Sequence, residues 1–154
     1  MNTFKEEIKQ TREFESQEQE AIIALLLTTD RLKGRLSALA GQFEITPQQY
    51  NVLRILNGAG DDGIQTLEIM DRMLERNPGI TRLLDRLETK ALIVRERSAS
   101  DRRCQICRIT AKGKTLLTNM DAPMQDLTQS VMQLLDKKQV TTLIDLLSLI
   151  RKGM

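Results

Sequence analysis

The chain has 154 residues, 40% of them hydrophobic and 29% charged, which is typical of a globular domain and excludes a largely disordered chain. It has no His and only two Cys, so the usual general base and a complete tetrahedral metal site are both missing, and we expect neither an enzyme nor a bound cofactor. The net charge is +2, yet segment 77–114 has ten Lys and Arg against four Asp and Glu, a local charge of +6. Such a segment favours a polyanion partner, with a solvated basic surface as the alternative.

The N-terminal sequence MNTFKEEIKQ is charged and has none of the apolar stretch that a signal peptide needs. No apolar run in the sequence approaches the roughly 18 residues that span a bilayer. We therefore expect a soluble cytoplasmic protein in which both thiols are reduced.

Helical patterns dominate the first half of the chain. Residues 16–43 are predicted to form one long helix, because Leu and Ile recur at helical spacing and Ser16 followed by Gln19 fits a capping box. A second helix is predicted to begin with Thr46 as its N-cap and Pro47 in its first turn. The next predicted elements are a loop at 57–63, a very short strand at Ile64 and a helix at 66–74.

A further helix is predicted to start with Asn77 as N-cap and Pro78 at its first position. Its apolar side is expected to be buried, with Arg82, Arg86 and Lys90 pointing away from the core. The remaining predicted elements are a β-hairpin with strands at 93–97 and 103–109 and a turn at 98–100, a helix at 112–134 that Pro123 bends or breaks, and a last helix at 137–151 capped by Asp136.

This order of elements predicts a mainly α fold with a small β-hairpin, in which a winged helix-turn-helix is flanked by N- and C-terminal helices. In that arrangement the helix before the hairpin enters the major groove of DNA, and the hairpin reaches the flanking backbone or the minor groove. Arg82 and Arg86 lie one turn apart on that helix, and arginine reads guanine bidentately. Free N–H groups at the helix tip favour a phosphate. The candidate DNA contacts are Asn77, Pro78, Thr81, Arg82, Arg86, Arg102 and Arg103.

Two of these assignments have structural alternatives. Arg86 could instead pair with Asp85 or Glu88, and at least one of Arg102 and Arg103 is expected to pack along the wing without touching DNA.

Four segments, ITPQQYNVLRIL, TRLLDRLETKALIVR, SASDRR and ITAKGKTLL, resemble the MarR family of bacterial transcription regulators. The resemblance runs from about Thr46 to Leu117, and its most specific part is Asp-Arg-Arg in a wing followed by Ile-Thr-x-x-Gly. One departure is Ala91, where the family usually has Gly. A left-handed backbone at Ala91 would cost roughly 1 kcal/mol.

The resemblance implies a homodimeric DNA-binding repressor with a near-palindromic operator. Residues 1–45 and 116–154 would form the dimerisation helices, and residues 46–115 the winged helix-turn-helix domain. The family also implies release by a small-molecule effector, aromatic or phenolic in kind, bound between the dimer helices and the DNA-binding lobe. Side chains near that junction by their order in the chain are Arg31, Lys33, Arg35, Phe43 and Tyr50, although charged residues on a long helix are usually just solvated.

The resemblance also implies a brace within the wing. Asp101 would accept a salt bridge from the first wing strand, with Arg95 as the natural partner, and the pair would aim Arg102 and Arg103 at the narrow minor groove. An exposed pair of this kind contributes only about 0 to 1 kcal/mol to stability.

Cys104 and Cys107 are spaced like a CxxC motif, but residues three apart on a strand face opposite sides of the sheet. We therefore expect one buried and one exposed thiol, sharing neither a metal nor a disulfide. Two alternatives stay open beside DNA binding by a regulator: a winged-helix protein-interaction module without DNA binding, and a thiol-based redox-sensing regulator.

Overall fold

The computed structural model describes residues 4–75, 79–101 and 103–154. Within them the chain is mostly helical with one small antiparallel sheet, which confirms the predicted fold class. The elements of these ranges are the helices α1 (Phe4–Glu7), α2 (Gln17–Gln42), α3 (Pro47–Ala59), α4 (Thr66–Arg72), α5 (Ile80–Thr89), α6 (Ala111–Met132) and α7 (Lys137–Lys152), and the strands β1 (Ile64–Gln65), β2 (Ile93–Arg97) and β3 (Gln105–Ile109). A bilayer-spanning helix is absent from the described residues, since every helix there is too short or too polar.

Two helices begin with a reciprocal cap, as predicted for their N-cap residues. At α3, Thr46 Oγ1 accepts from the N–H of Gln49 at 3.2 Å, and Gln49 Oε1 accepts from the N–H of Thr46 at 2.9 Å. Asp136 and Gln139 repeat this exchange at the start of α7. Each cap satisfies two N–H groups that a helix start would otherwise leave unpaired.

At α2 and α6 the predictions are partly wrong. Ser16 Oγ accepts from the N–H of Gln19 at 3.1 Å, but the Gln19 side chain bonds the N–H of the residue before Ser16, so the capping box is not reciprocal. The break considered at Pro123 does not occur, because α6 continues through it. Met120 is buried before the proline and Met124 packs on the core after it, so core packing keeps both halves helical.

The helix α5 begins later than predicted. Gly79 is its N-cap, and the first helical bond runs from the N–H of Leu83 to the carbonyl of Gly79 at 3.1 Å. Asn77 and Pro78, predicted as the N-cap and first residue, lie outside the described residues. The predicted apolar side is confirmed, since the buried residues of α5 are Ile80, Leu83, Leu84 and Leu87.

A left-handed residue ends α5 and turns the chain into β2. Ala91 has a φ of 57°, which is the left-handed backbone that the sequence analysis considered for this residue. Its N–H bonds the carbonyl of Glu88 at 2.8 Å, and the N–H of Leu92 reaches back to the carbonyl of Leu87 at 3.0 Å. This closure satisfies the last carbonyls of the helix, but the Cβ of Ala91 strains the backbone.

Replacing Ala91 with glycine is expected to raise the free energy of unfolding by about 1 kcal/mol, because glycine adopts positive φ without a steric penalty. Urea unfolding at a fixed protein concentration measures the change. Ala38→Gly, on the exposed side of α2, is the matched control and should lower the free energy of unfolding by about 1 kcal/mol. An unchanged or lower midpoint for Ala91→Gly would contradict the strain at this position.

The sheet has the strand order β1–β3–β2, so β2 is an edge strand. Both pairings are antiparallel, and Arg95 of β2 lies opposite Cys107 of β3. The strand β3 begins at Gln105, two residues later than predicted. The wing turn extends that far because the N–H of Ser98 donates to the carbonyl of Cys104 at 2.9 Å.

The hydrophobic core lies between α3, α5, the sheet and the first half of α6. Its fully buried side chains include Leu53, Leu56, Leu84, Leu87, Ile93 and Met120. Gly113 of α6 lies against this core, and a Cβ added there would be 2.4 Å from the carbonyl oxygen of Leu92. The Gly of the Ile-Thr-x-x-Gly motif is therefore a point of close backbone approach.

Candidate nucleic-acid interface

The outer face of α5 carries the predicted groove-reading residues. Thr81, Arg82 and Arg86 are exposed on it, opposite the buried leucines. Among the described residues neither Arg82 nor Arg86 forms an ion pair, so Arg86 does not pair with Asp85 or Glu88 as considered. Both guanidinium groups are therefore available to a partner.

The N-terminus of α3 contributes to the same surface. An open groove of about 250 Å³ is lined by Thr46, Gln48 and Gln49 from the α3 start and by Gly79, Arg82, Leu83 and Arg86 from α5. Two exposed arginines and the positive end of a helix dipole thus meet in one concave surface. The N–H groups of Thr46 and Gln49 are already paired in the cap, so it is the positive charge of this surface that suits a phosphate.

Asp101 organises the tip of the wing. Its Oδ1 accepts from the N–H of Arg103 at 2.9 Å, and its carbonyl accepts from the N–H of Cys104 at 2.9 Å. Ser98 Oγ accepts from the N–H of Asp101 at 3.4 Å. Arg103 is exposed beside this turn, whereas Arg102 lies outside the described residues.

The predicted pair between Arg95 and Asp101 is wrong. Arg95 turns back from the wing to α5, where its guanidinium group binds Glu88 at 2.6 Å and Asp85 at 2.5 Å. The Arg95 side chain is only 13% exposed. Hydrogen bonds from Arg95 hold the pKa of Glu88 below its ordinary value, and hydrogen bonding to Glu88 raises the pKa of Arg95. The charge of both groups is therefore maintained at neutral pH.

Of the five side chains predicted near an effector pocket, four are not brought together. Arg31 pairs with Glu7, and Arg35 donates to Ser130 Oγ at 2.7 Å, because both arginines lie on the side of α2 that faces α1 and α6. Phe43 and Tyr50 pack half-buried against the core.

A cavity of about 310 Å³ lies between α2, the start of α3 and the segment after α4. Its lining includes Leu32, Lys33, Leu36, Pro47, Asn51 and Met73, so Lys33 is the one of the five predicted side chains that lines it. Lys33 pairs with Glu75 at 2.6 Å. The hydrogen bond from Lys33 lowers the pKa of Glu75.

The two thiols are separated as predicted: Cys107 is fully buried and Cys104 is partly exposed. Burial raises the pKa of Cys107, and desolvation together with the Asp101 carboxylate raises the pKa of Cys104. Both are therefore thiols at neutral pH, which does not favour thiolate chemistry. In the described ranges, no three His, Cys, Asp or Glu side chains are grouped to hold a metal.

Comparison with known proteins places this architecture in one family. The family model described as MarR family matches residues 43–103, from the C-cap of α2 to the wing. A solved MarR transcription factor from Planctomyces limnophilus is 36% identical, covers 89% of this chain and 99% of its own length, and has a TM-score of 0.70. This chain belongs to the MarR family. The resemblance seen in the sequence is thereby confirmed.

Two other MarR-type proteins are similar to parts or all of the chain. The HTH-type transcriptional regulator MhqR of Bacillus subtilis (strain 168) is 37% identical over 76 residues, which is 49% of this chain and about half (51%) of that regulator's length. A MarR variant from E. coli, solved in complex with operator DNA, is 22% identical, with 97% of this chain and 99% of that chain covered and a TM-score of 0.76. At that identity the likeness shows a shared MarR fold.

Proposed function

We propose that this MarR-family regulator is a homodimeric repressor that binds a near-palindromic operator through α5 and the β2–β3 wing. One observation carries the proposal: Arg82 and Arg86 are exposed and unpaired within the described residues, while Arg95 pairs with Asp85 and Glu88 of the same helix and offsets one of their two negative charges. The outward face of α5 therefore presents a net positive charge to its surroundings. An adaptor that binds no nucleic acid has no need for this arrangement.

Residues 46–115 form the DNA-binding unit of this proposal. Thr81, Arg82 and Arg86 enter the major groove, where Arg82 reads a guanine, and Asn77 and Pro78 lie near a phosphate. The wing carries Arg102 and Arg103 to the flanking minor groove, whose negative potential attracts arginine.

Dimerisation through residues 1–45 and 116–154 is supported by uncovered apolar surface. The helix α7 has no buried residue, although it is rich in Leu and Ile. Large exposed side chains of α2 and α7 are Ile22, Leu26, Ile144, Leu146, Leu149 and Ile150. A second copy of the chain covers this surface, and its two-fold axis requires two half-sites about one helical turn apart.

The cavity between α2 and the start of α3 is where an effector would act. It lies at the junction of the proposed dimerisation helix and the DNA-binding unit, and its lining is mostly apolar, which fits a small aromatic or phenolic molecule. Binding there would favour a dimer geometry in which the two copies of α5 no longer match successive major grooves.

A salt titration with the duplex that the wild-type chain selects from random sequence tests the DNA contacts. Arg82→Ala is expected to weaken binding about 5- to 150-fold, because a bidentate guanine contact contributes about 1–3 kcal/mol. Arg102→Ala is expected to reduce the slope of log affinity against log salt by about 1. Arg54→Ala is the matched control, since Arg54 is on α3 and faces Asp121 at 3.5 Å.

If all three variants change affinity by the same small factor, the assigned surface is not the DNA-binding surface. If Arg82→Ala weakens binding to every duplex equally, Arg82 contacts the backbone and reads no base.

A further inference from the structure

Arg95 joins the wing to α5 through its backbone as well as its side chain. Its N–H donates to Glu88 Oε1 at 3.2 Å, while Nε and Nη2 donate to Glu88 Oε2 at 3.0 and 2.6 Å. Nη2 also donates to Asp85 Oδ1 at 2.5 Å. The carboxylate of Glu88 thus holds the main chain of β2, and Asp85, one turn earlier, holds the end of the same side chain.

These contacts lie where the chain between α5 and the wing is short. Only residues 90–92 connect the two elements, and Ala91 in the middle has a left-handed backbone. The core holds the start of β2 at Ile93, but the strand beyond it is largely exposed, so the direction of the wing can still vary. The bonds of Arg95 form a second connection several residues beyond the first, which removes that freedom.

We propose that Arg95, Glu88 and Asp85 are positioning residues that fix the angle between α5 and the wing, so that both elements reach one duplex together. This inference rests on the proposed function, because it concerns how the two DNA-binding elements are aligned. Arg95 acts through the wing and touches no DNA, since its side chain is only 13% exposed and its Nε and Nη2 groups donate to carboxylates.

The ion pair between Arg108 and Glu96 does not connect the wing to α5. Arg108 donates to Glu96 at 2.7 Å, but both residues belong to the hairpin. Arg108 Nε also donates to the carbonyl of Asp61, in the loop before β1. This pair stabilises the wing internally and leaves its angle to α5 unaffected. It therefore offers a control with the same chemistry.

An alignment fixed before binding increases affinity because less conformational freedom is lost when the duplex is bound. It also makes the contacts of α5 and the wing simultaneous. Once the bonds of Arg95 to Glu88 and Asp85 are removed, each element can bind while the other is misdirected. The wing arginines then contribute less to affinity and to its salt dependence.

A comparison of Glu88→Gln with Glu96→Gln in the whole 154-residue chain tests the positioning role. Both substitutions remove one carboxylate, so long-range attraction to DNA increases equally in the two variants. The probe is the best duplex of about two helical turns selected by the wild-type chain from random sequence. Glu88→Gln is expected to bind about ten-fold more weakly than Glu96→Gln, with a salt slope smaller by about 1 to 2.

Non-additivity separates a positioning role from a stabilising one. Arg103→Ala should cost clearly less affinity in the Glu88→Gln background than in the wild-type chain, because a misdirected wing has already lost that contact. A loss of stability alone would lower the folded fraction without changing the salt slope. The N–H of Arg95 should also exchange faster with solvent in Glu88→Gln than in Glu96→Gln. This hydrogen-exchange measurement is made on the protein without DNA.

Asp85→Asn removes only one of the bonds to Arg95 and replaces Glu88→Gln as the test variant if Glu88→Gln does not fold. It should show the same changes in affinity and salt slope to a smaller extent. Equal affinities and equal salt slopes for Glu88→Gln and Glu96→Gln, with the wild-type chain binding tightly, would overturn the positioning role and leave the proposed function intact. A wild-type chain that binds no duplex would overturn both.

Discussion

Replacing Leu146 with glutamate is expected to convert the protein to a monomer and to weaken operator binding by at least about 100-fold. Leu146 is 53% exposed on α7, a helix without a single buried residue, and a second copy is proposed to cover it. A carboxylate at this position would have to lose its hydration in the dimer, which is costly without a partner charge. Binding to two linked half-sites raises the affinity by a factor of about 10² to 10⁴ over binding to one half-site, and a monomer loses this gain.

Sedimentation measures the change in mass, and a duplex-binding titration measures the loss of affinity. Leu67→Glu is the control for the mass, because Leu67 is 69% exposed on α4, outside the proposed dimerisation helices. A Leu146→Glu protein that remains a dimer would place the interface elsewhere on the chain.

Gly113→Ala is expected to lower the free energy of unfolding by about 3 kcal/mol, the upper end of what overpacking costs. The new Cβ would lie 2.4 Å from the carbonyl oxygen of Leu92 and 2.7 Å from Ile109 Cγ1. Neither group can move alone, because the N–H of Thr110 donates to the same carbonyl at 3.0 Å and Ile109 belongs to the core. The N-terminus of α6 would have to shift away from the sheet.

Urea unfolding at a fixed protein concentration gives the change in midpoint. Gly58→Ala is the matched control, because Gly58 lies in α3 and nothing comes within 4 Å of its added Cβ. This substitution should raise the free energy of unfolding by up to about 1 kcal/mol. A Gly113→Ala midpoint close to that of the wild-type chain would mean that the added Cβ lies farther than 2.4 Å from the carbonyl oxygen of Leu92.

Local patterns predicted the helices and the caps of α3 and α7 well, because these depend on residues a few positions apart. Thr46 with Gln49 and Asp136 with Gln139 form their caps within a single turn, so their spacing in the sequence is enough to suggest them. The missing N–H of Pro123 suggested a bend or a break, but packing from elsewhere in the chain keeps α6 continuous there.

The contacts of the site were harder to predict because they depend on how elements are placed in space. Arg95 has several carboxylates within a few positions in the sequence, and the distance along the chain does not tell which one it meets. The signal was present in Asp85 and Glu88, which lie three residues apart on the same side of α5. The cavity brings Leu32 together with Met73, and no local pattern links residues so far apart.

The bond from the N–H of Arg95 to Glu88 also affects how the protein behaves at high concentration. An outermost strand with free main-chain donors can accept a strand from another molecule, which is a common start of aggregation. On β2 the side chain of Glu88 occupies one such donor, so a strand from another molecule cannot bond to it. The hairpin is thereby protected against unwanted strand addition while its opposite side stays paired with β3.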